Sequence, residues 1–204
     1  FNLIDTFFVS PLNFFLFLIS MFNDISDSED SDIKDYTESN EINFTYIKKI
    51  GKGRYGKIYL ILNNNNNEYN VVKHIQKKYS KNVQHEIKML KKIQNKSDYL
   101  LNMINYYVVE NKDIMILTDY IEKSMDLNDF IHKYNLSNIK YLSIVQELLI
   151  GLKHLHLLDL VHMDIKPKNI LIYKDYQNGK KYYKIKYIDF GFACDKENKN
   201  YMSV

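Results

Sequence analysis

Within His162-Met-Asp164-Ile-Lys166-Pro-Lys-Asn169-Ile-Leu171, an aspartate, a lysine and an asparagine stand a few residues apart. Their side chains suit one reaction: a carboxylate to accept a hydroxyl proton, an ammonium to neutralise a phosphate, and an amide oxygen to hold magnesium. Further along, Asp189-Phe190-Gly191 adds a second carboxylate of the type that binds magnesium. Together these residues point to phosphoryl transfer. The single cysteine, Cys194, excludes an intramolecular disulfide and leaves no basis for a thiolate zinc site.

Two upstream groups could handle the phosphates. Gly51-Lys52-Gly53-Arg-Tyr-Gly56-Lys-Ile58 spaces its glycines so that backbone N–H groups can approach phosphate oxygens without a Cβ in the way. Dinucleotide-binding folds use the same glycine spacing, but they need a helix directly after it. Here Lys57 to Leu62 reads as a strand, which leaves a strand-turn-strand over the phosphates. Val71-Val72-Lys73 then ends on a strand lysine, and Glu86 follows thirteen residues later on a helical stretch. A carboxylate there can fix the long lysine side chain for phosphate contact. Taken singly, such a lysine and glutamate are most often surface residues.

The elements that must position these groups are legible from periodicity. β-type runs cover Phe44 to Ile50, Lys57 to Leu62, Tyr69 to Ile75, Ile104 to Val109 and Ile114 to Tyr120, with Asn63 to Asn67 as a hairpin spacer. Val83, Ile87, Leu90 and Ile93 recur at helical spacing between Lys81 and Gln94. Five strands and one helix make a small α+β lobe. Ile139 to Leu158 reads as a long amphipathic helix whose apolar face would be Leu142, Val145, Leu148, Leu149, Leu152 and Leu155. From His162 to Ala193 the expectation is loop and short strand.

With five motifs in this order, the sequence resembles the eukaryotic-type protein kinase family, Ser/Thr type, over roughly Phe44 to Cys194. The resemblance implies a bilobal α+β fold with a complete small lobe, a five-stranded sheet plus one helix, and only the start of the helical large lobe. It implies ATP and Mg2+ as cofactors. By the same resemblance Lys73 binds the α- and β-phosphates and pairs with Glu86, Asp164 is the catalytic base, Lys166 steadies the γ-phosphate, and Asn169 and Asp189 hold magnesium. Gly51, Lys52, Gly53 and Gly56 would cover the phosphates. Thr118 falls at the gatekeeper position before the hinge Asp119-Tyr120-Ile121, and Ile58, Val71 and Leu171 would sandwich adenine. Leu90, Tyr106, His162 and Phe190 resemble the stacked spine of the family. Lys166, two residues after Asp164, favours Ser or Thr hydroxyls of a protein substrate.

The chain departs from the family in three places. Met163 stands where an arginine usually pairs with a phosphorylated activation loop. The interval from Lys73 to Glu86 is short, so their pairing needs a compact connection. The sequence also ends at Val204 without an A-P-E motif or the later large-lobe helices, so the expectation is a kinase domain over 42–204 that is incomplete at its C-terminus. A kinase-like module that binds nucleotide or a partner without transfer is the alternative.

Net charge is +3, but residues 1–41 hold nine acids and one base, so the remainder, with 16 acids and 27 bases, is basic. Those lysines are scattered rather than gathered in a stripe, and no nucleic-acid partner is expected. Residues 23–41 form an acidic, serine-containing linker with too little apolar content to fold. Residues 1–22 are an apolar segment that contains Pro11 and Asn13 and reads equally as an anchor, a signal or non-native translation ahead of Met21. The expected location is cytoplasmic, with any membrane contact confined to residues 6–22.

Overall fold

The computed structural model describes residues 43–197, apart from 54, 110, 111 and 178. The apolar segment and acidic linker expected over 1–41 lie outside them. The chain divides into two compact units, one ending at Glu122 and the other beginning at Lys123.

In the first unit, β1 (Phe44–Lys52), β2 (Gly56–Asn63), β3 (Glu68–Ile75), β4 (Met103–Val108) and β5 (Ile114–Asp119) form one antiparallel sheet in the order β1-β2-β3-β5-β4. Between β3 and β4 lies helix α1 (Ser80–Ile93). Each element falls within two residues of its expected bounds. Strand alternation sorts the side chains. Ile61, Val72 and Leu117 cluster on one face with Phe44, Tyr59, Tyr107 and Met115 packed around them. The pairs Ile58↔Lys73, Lys73↔Ile116 and Val71↔Thr118 bring the alternate residues to the opposite face. The helical stripe Val83, Ile87, Leu90 and Ile93 is buried as its spacing requires.

In the second unit, β6 (Met125–Asp126), β8 (Ile170–Gln177) and β9 (Lys180–Tyr187) form a three-stranded sheet, while β7 (Leu160–Val161) pairs with β10 (Cys194–Asp195). Helix α2 (Leu127–Lys133) starts at Asp126, whose Oδ1 accepts the Asp129 N–H at 2.8 Å as an N-cap. Helix α3 (Asn138–Leu157) packs on β9.

Two expectations need correction here. The stretch after His162 is not all loop and short strand: β8 and β9 pair over eight residues each. Gly179, at φ 71°, turns the chain between them, and the Asn178-Gly179 dipeptide was the hairpin signal. The buried face of α3 also differs from the expected one. Ile144, Leu148, Gly151 and Leu155 are buried, whereas Leu142 and Leu149 are 57% and 54% exposed. At about 100° per residue, the buried four share one narrow stripe, with Gly151 at one edge and Leu148 at the other, and Leu142 and Leu149 fall on the other side of the helix. Hydrophobicity alone counts glycine as neutral, yet a Cβ added at Gly151 would collide with the Tyr187 ring.

Candidate active site

The glycine-rich turn joins β1 to β2, and the Gly53 N–H donates to the Gly56 carbonyl at 2.9 Å. Its glycines have different reasons to be glycine. A Cβ on Gly53 would lie 3.5 Å from Lys73 Cε, an ordinary contact that leaves the turn lying over the lysine stem. A Cβ on Gly56 would collide with the His74 carbonyl oxygen. Gly56 is therefore demanded by the β2–β3 pairing. Lys52 ends β1 and is exposed opposite Lys57.

Lys73 Nζ donates to Glu86 Oε1 at 2.6 Å and to Oε2 at 2.7 Å, with Glu86 almost wholly buried. The short interval is bridged by a single 3-10 turn, Lys77–Tyr79, closed by the Tyr79 N–H on the Gln76 carbonyl at 2.9 Å. A bidentate, charge-assisted contact of this kind fixes the ammonium at the sheet face that also carries Ile58, Val71 and Thr118. Thr118 is buried. The Asp119 N–H donates to the Asn102 carbonyl at 3.2 Å, while Asp119 Oδ1 accepts the Asn102 N–H at 3.2 Å, so the strand end before Tyr120 and Ile121 is tied down.

In the second unit, the loop after β7 gathers its polar groups around Asp164. Asp164 Oδ2 accepts from Lys166 Nζ at 2.6 Å and from Asn169 Nδ2 at 2.7 Å, and Asn169 Nδ2 also donates to the Asp164 carbonyl at 2.9 Å. The amide of the buried Asn169 is thereby oriented, with Oδ1 as its acceptor end. Pro167–Asn169 is a 3-10 turn, a step that sets Asn169 beside Asp164. Leu171 follows on β8, half-buried on the face opposite the fully buried Ile170 and Ile172.

His162 links this loop to the Asp189 segment. Its Nε2 lies 3.1 Å from the Ile188 carbonyl, and its Nδ1 accepts the Asp164 N–H at 3.4 Å. Those partners require the proton on Nε2, because a carbonyl can only accept. Burial lowers the imidazole pKa below its ordinary value, although Ile188, Asp164 and Asp189 all act in the other direction. The Ile188 N–H donates in turn to the Asn169 carbonyl at 2.9 Å. Asp164, Asn169 and Asp189 are thus tied to one buried histidine, whose ring meets Phe190 at 4.9 Å between centroids, the planes tilted by 45°. Asp189 adopts φ 63° and Met163 φ 62°, both in the left-handed region that L-residues seldom occupy.

The expected residues therefore fall into two groups. Gly53, Lys73 and Glu86 come together in the first unit, as do Asp164, Lys166, Asn169 and Asp189 in the second. Leu90 and Tyr106 are buried in the first unit, and His162 and Phe190 are buried in tilted ring contact in the second. Sequence reasoning missed Tyr187, whose hydroxyl donates to the Leu148 carbonyl at 3.0 Å and anchors β9, two residues before Asp189, to α3. No helix among the described residues is long and apolar enough to cross a membrane.

Comparison with known proteins gives this geometry a family. Residues 44–204 match the protein kinase domain. The chain is 29% identical over 168 residues to the probable serine/threonine-protein kinase fhkB of Dictyostelium discoideum, covering 78% of this chain and 14% of that one. It is 30% identical over 164 residues to the cAMP-dependent protein kinase catalytic subunit of the same organism, covering 78% and 24%. It is also 30% identical over 165 residues to the mitogen-activated protein kinase spm1 of Schizosaccharomyces pombe, covering 75% and 36%. The chain thus spans well under half the length of these relatives. A crystal structure of a kinase domain superposes with a TM-score of 0.63 at 25% identity, over 80% of this chain and 56% of that one. With the domain match extending over most of its length, the chain belongs to the eukaryotic-type protein kinase family.

Proposed function

We propose that the chain is the catalytic part of an ATP-dependent protein kinase that transfers the γ-phosphate to Ser or Thr hydroxyls of a protein substrate, with a domain spanning residues 42–204. The observation that carries this reading is the Asp164 carboxylate, with Oδ2 held by Lys166 and Asn169. Its other oxygen, Oδ1, would take the hydroxyl proton. Lys166 has a long stem and is half exposed, so its ammonium can move from Asp164 to a phosphate oxygen. The Lys166 position after Asp164 supports Ser or Thr, as do the names of the relatives.

The donor set fits magnesium. Mg2+ prefers hard oxygen ligands and takes one or two from the protein, with phosphates and water supplying the rest. Asn169 Oδ1 and the Asp189 carboxylate are of that kind, and both are tied to His162. Magnesium would neutralise charge on the phosphates. Lys73, steadied by Glu86, would orient the α- and β-phosphates, and the Gly51 to Gly56 turn would cover them. Ile58, Val71 and Leu171 would line adenine, with Thr118, Asp119 and Ile121 at its edge. An intracellular location, where ATP is available, is consistent with this reading.

The test is transfer of labelled γ-phosphate from magnesium–ATP to a mixed protein substrate, followed by phosphoamino-acid analysis. Label on Ser and Thr, reduced by a factor of about 10²–10⁴ in Asp164→Asn, is the expected result. Label on Tyr alone would refute the substrate class. Nucleotide binding without transfer would mark a kinase-like binding module instead.

A further inference from the structure

We propose that Asp113 is a positioning residue for the Lys73–Glu86 pair, holding the start of α1 from the turn between β4 and β5. The inference rests on the reading of that pair as the phosphate-holding group. It begins where the β3–β5 ladder stops. The last paired residues are Ile75 and Ile114, after which β3 leaves the sheet for the Lys77–Tyr79 turn. Asp113 is one residue beyond the ladder on the other strand, and its side chain continues the contact that the backbone gives up. Its Oδ1 accepts the Lys77 N–H at 2.9 Å, and its Oδ2 lies 3.0 Å from His74 Nε2. One carboxylate thus grips the residue after Lys73 and the first residue of the turn that leads to Glu86.

Helix α1 needs such a contact. Among the described residues it has no side-chain cap at Tyr79, and neither its first turn nor the 3-10 turn before it holds an acidic residue. An acid near the exposed N–H groups at a helix start is favourable in charge and in hydrogen bonding. Here it comes from the turn before β5. Asp113 is itself held: the Val109 N–H donates to its carbonyl at 2.9 Å, and the Lys112 N–H donates to the Val109 carbonyl at 2.9 Å. The other end of α1 is tied to β4 by Lys91 over the Tyr106 ring and by Gln94 Nε2 on the Ile104 carbonyl at 3.3 Å. Glu86 lies roughly two turns into α1, so a shift at Lys77 is carried to its carboxylate.

The experiment compares amide hydrogen exchange and magnesium–ATP affinity in the full chain. In Asp113→Ala, amides of residues 77–86 exchange about tenfold faster while those of β2 keep the parent rate, and affinity falls by about tenfold. Asp113→Asn restores most of both, since an amide oxygen still accepts the Lys77 N–H. In a Glu86→Ala background, Asp113→Ala brings no further loss of affinity, an outcome that a general loss of stability would not give. Parent-like exchange over 77–86, or a fully additive loss of affinity, would overturn the proposal. Should Asp113→Ala not fold, His74→Ala removes the Oδ2 contact alone and gives a smaller rise in the same segment. A parent chain that binds no magnesium–ATP would refute the phosphate reading, and the exchange comparison would still decide whether Asp113 holds α1.

Discussion

His162 acts by staying neutral. Its ring is fully buried, donates from Nε2 to the Ile188 carbonyl and accepts at Nδ1 from the Asp164 N–H. A second proton would leave Nδ1 facing that N–H donor to donor, and burial lowers the pKa accordingly. The consequence for stability has a definite sign. As pH falls through the ordinary value of 6.5, the unfolded chain binds a proton at this position while the folded chain does not, so stability is lost. Above that value, the histidine contributes no slope. Thermal melts between pH 7.5 and 5.5 are expected to fall more steeply for the parent than for His162→Gln, which shares the other five histidines. Equal slopes would mean that His162 titrates alike in both states. The motif residues around it were legible because the proposed chemistry restricts their types: a carboxylate, an ammonium and an amide are what it asks for at Asp164, Lys166 and Asn169. Backbone angles were not legible. Met163 reads in the sequence as a missing cation, and nothing in its side chain announces φ 62°.

The element that carries this loop is the pairing of α3 with β9. Tyr187 lies against the helix at Gly151, where an added Cβ would meet Cε2 of the ring at 2.7 Å and Ile185 Cδ1 at 3.2 Å. Burial raises the Tyr187 pKa, so its hydroxyl remains a donor to the Leu148 carbonyl. In an exposed helix, Gly→Ala would gain about 1 kcal/mol. Here the ring cannot retreat, and Gly151→Ala is expected to cost about 1–3 kcal/mol in urea unfolding. Tyr187→Phe, which removes only the hydroxyl, is expected to cost about 1 kcal/mol. Combining Gly151→Ala with Tyr187→Leu should cost less than the two single costs together, because the smaller side chain makes room for the methyl group. Strict additivity would show that the ring does not set the approach. This contact also explains why the helix was legible and its buried face was not. Periodicity located Asn138–Leu157 within one residue, but the helix approaches the sheet at its smallest residue, and a count of leucines points elsewhere. The small-lobe strands fared better, since a strand's two faces follow from alternation alone.

At the scale of the whole chain, the two groups of polar residues make separable predictions for ligand-linked stability. A nucleotide that binds only the folded protein stabilises it by about 2.7 kcal/mol at a hundred times its Kd. For a chain of 204 residues, that corresponds to a melting-temperature rise of roughly 5–11 °C. Lys73→Met should do two things at once. It removes the cation proposed to meet the phosphates, and it leaves the buried Glu86 carboxylate without the ammonium that meets both its oxygens. Removing one partner of a buried ion pair costs about 3–5 kcal/mol, so the variant should melt lower without ligand and respond little to magnesium–ATP. Asp164→Asn should behave otherwise. Its amide oxygen still accepts from Lys166 and Asn169, the nucleotide contacts are untouched, and the ATP-induced rise should match the parent while transfer is lost. Asp189→Asn should retain a response to ATP alone and lose the part that depends on magnesium. Differential scanning fluorimetry with ATP, with and without magnesium, measures all three. A full ATP response in Lys73→Met would move the phosphates away from Lys73, and parental transfer by Asp164→Asn would remove Asp164 as the base.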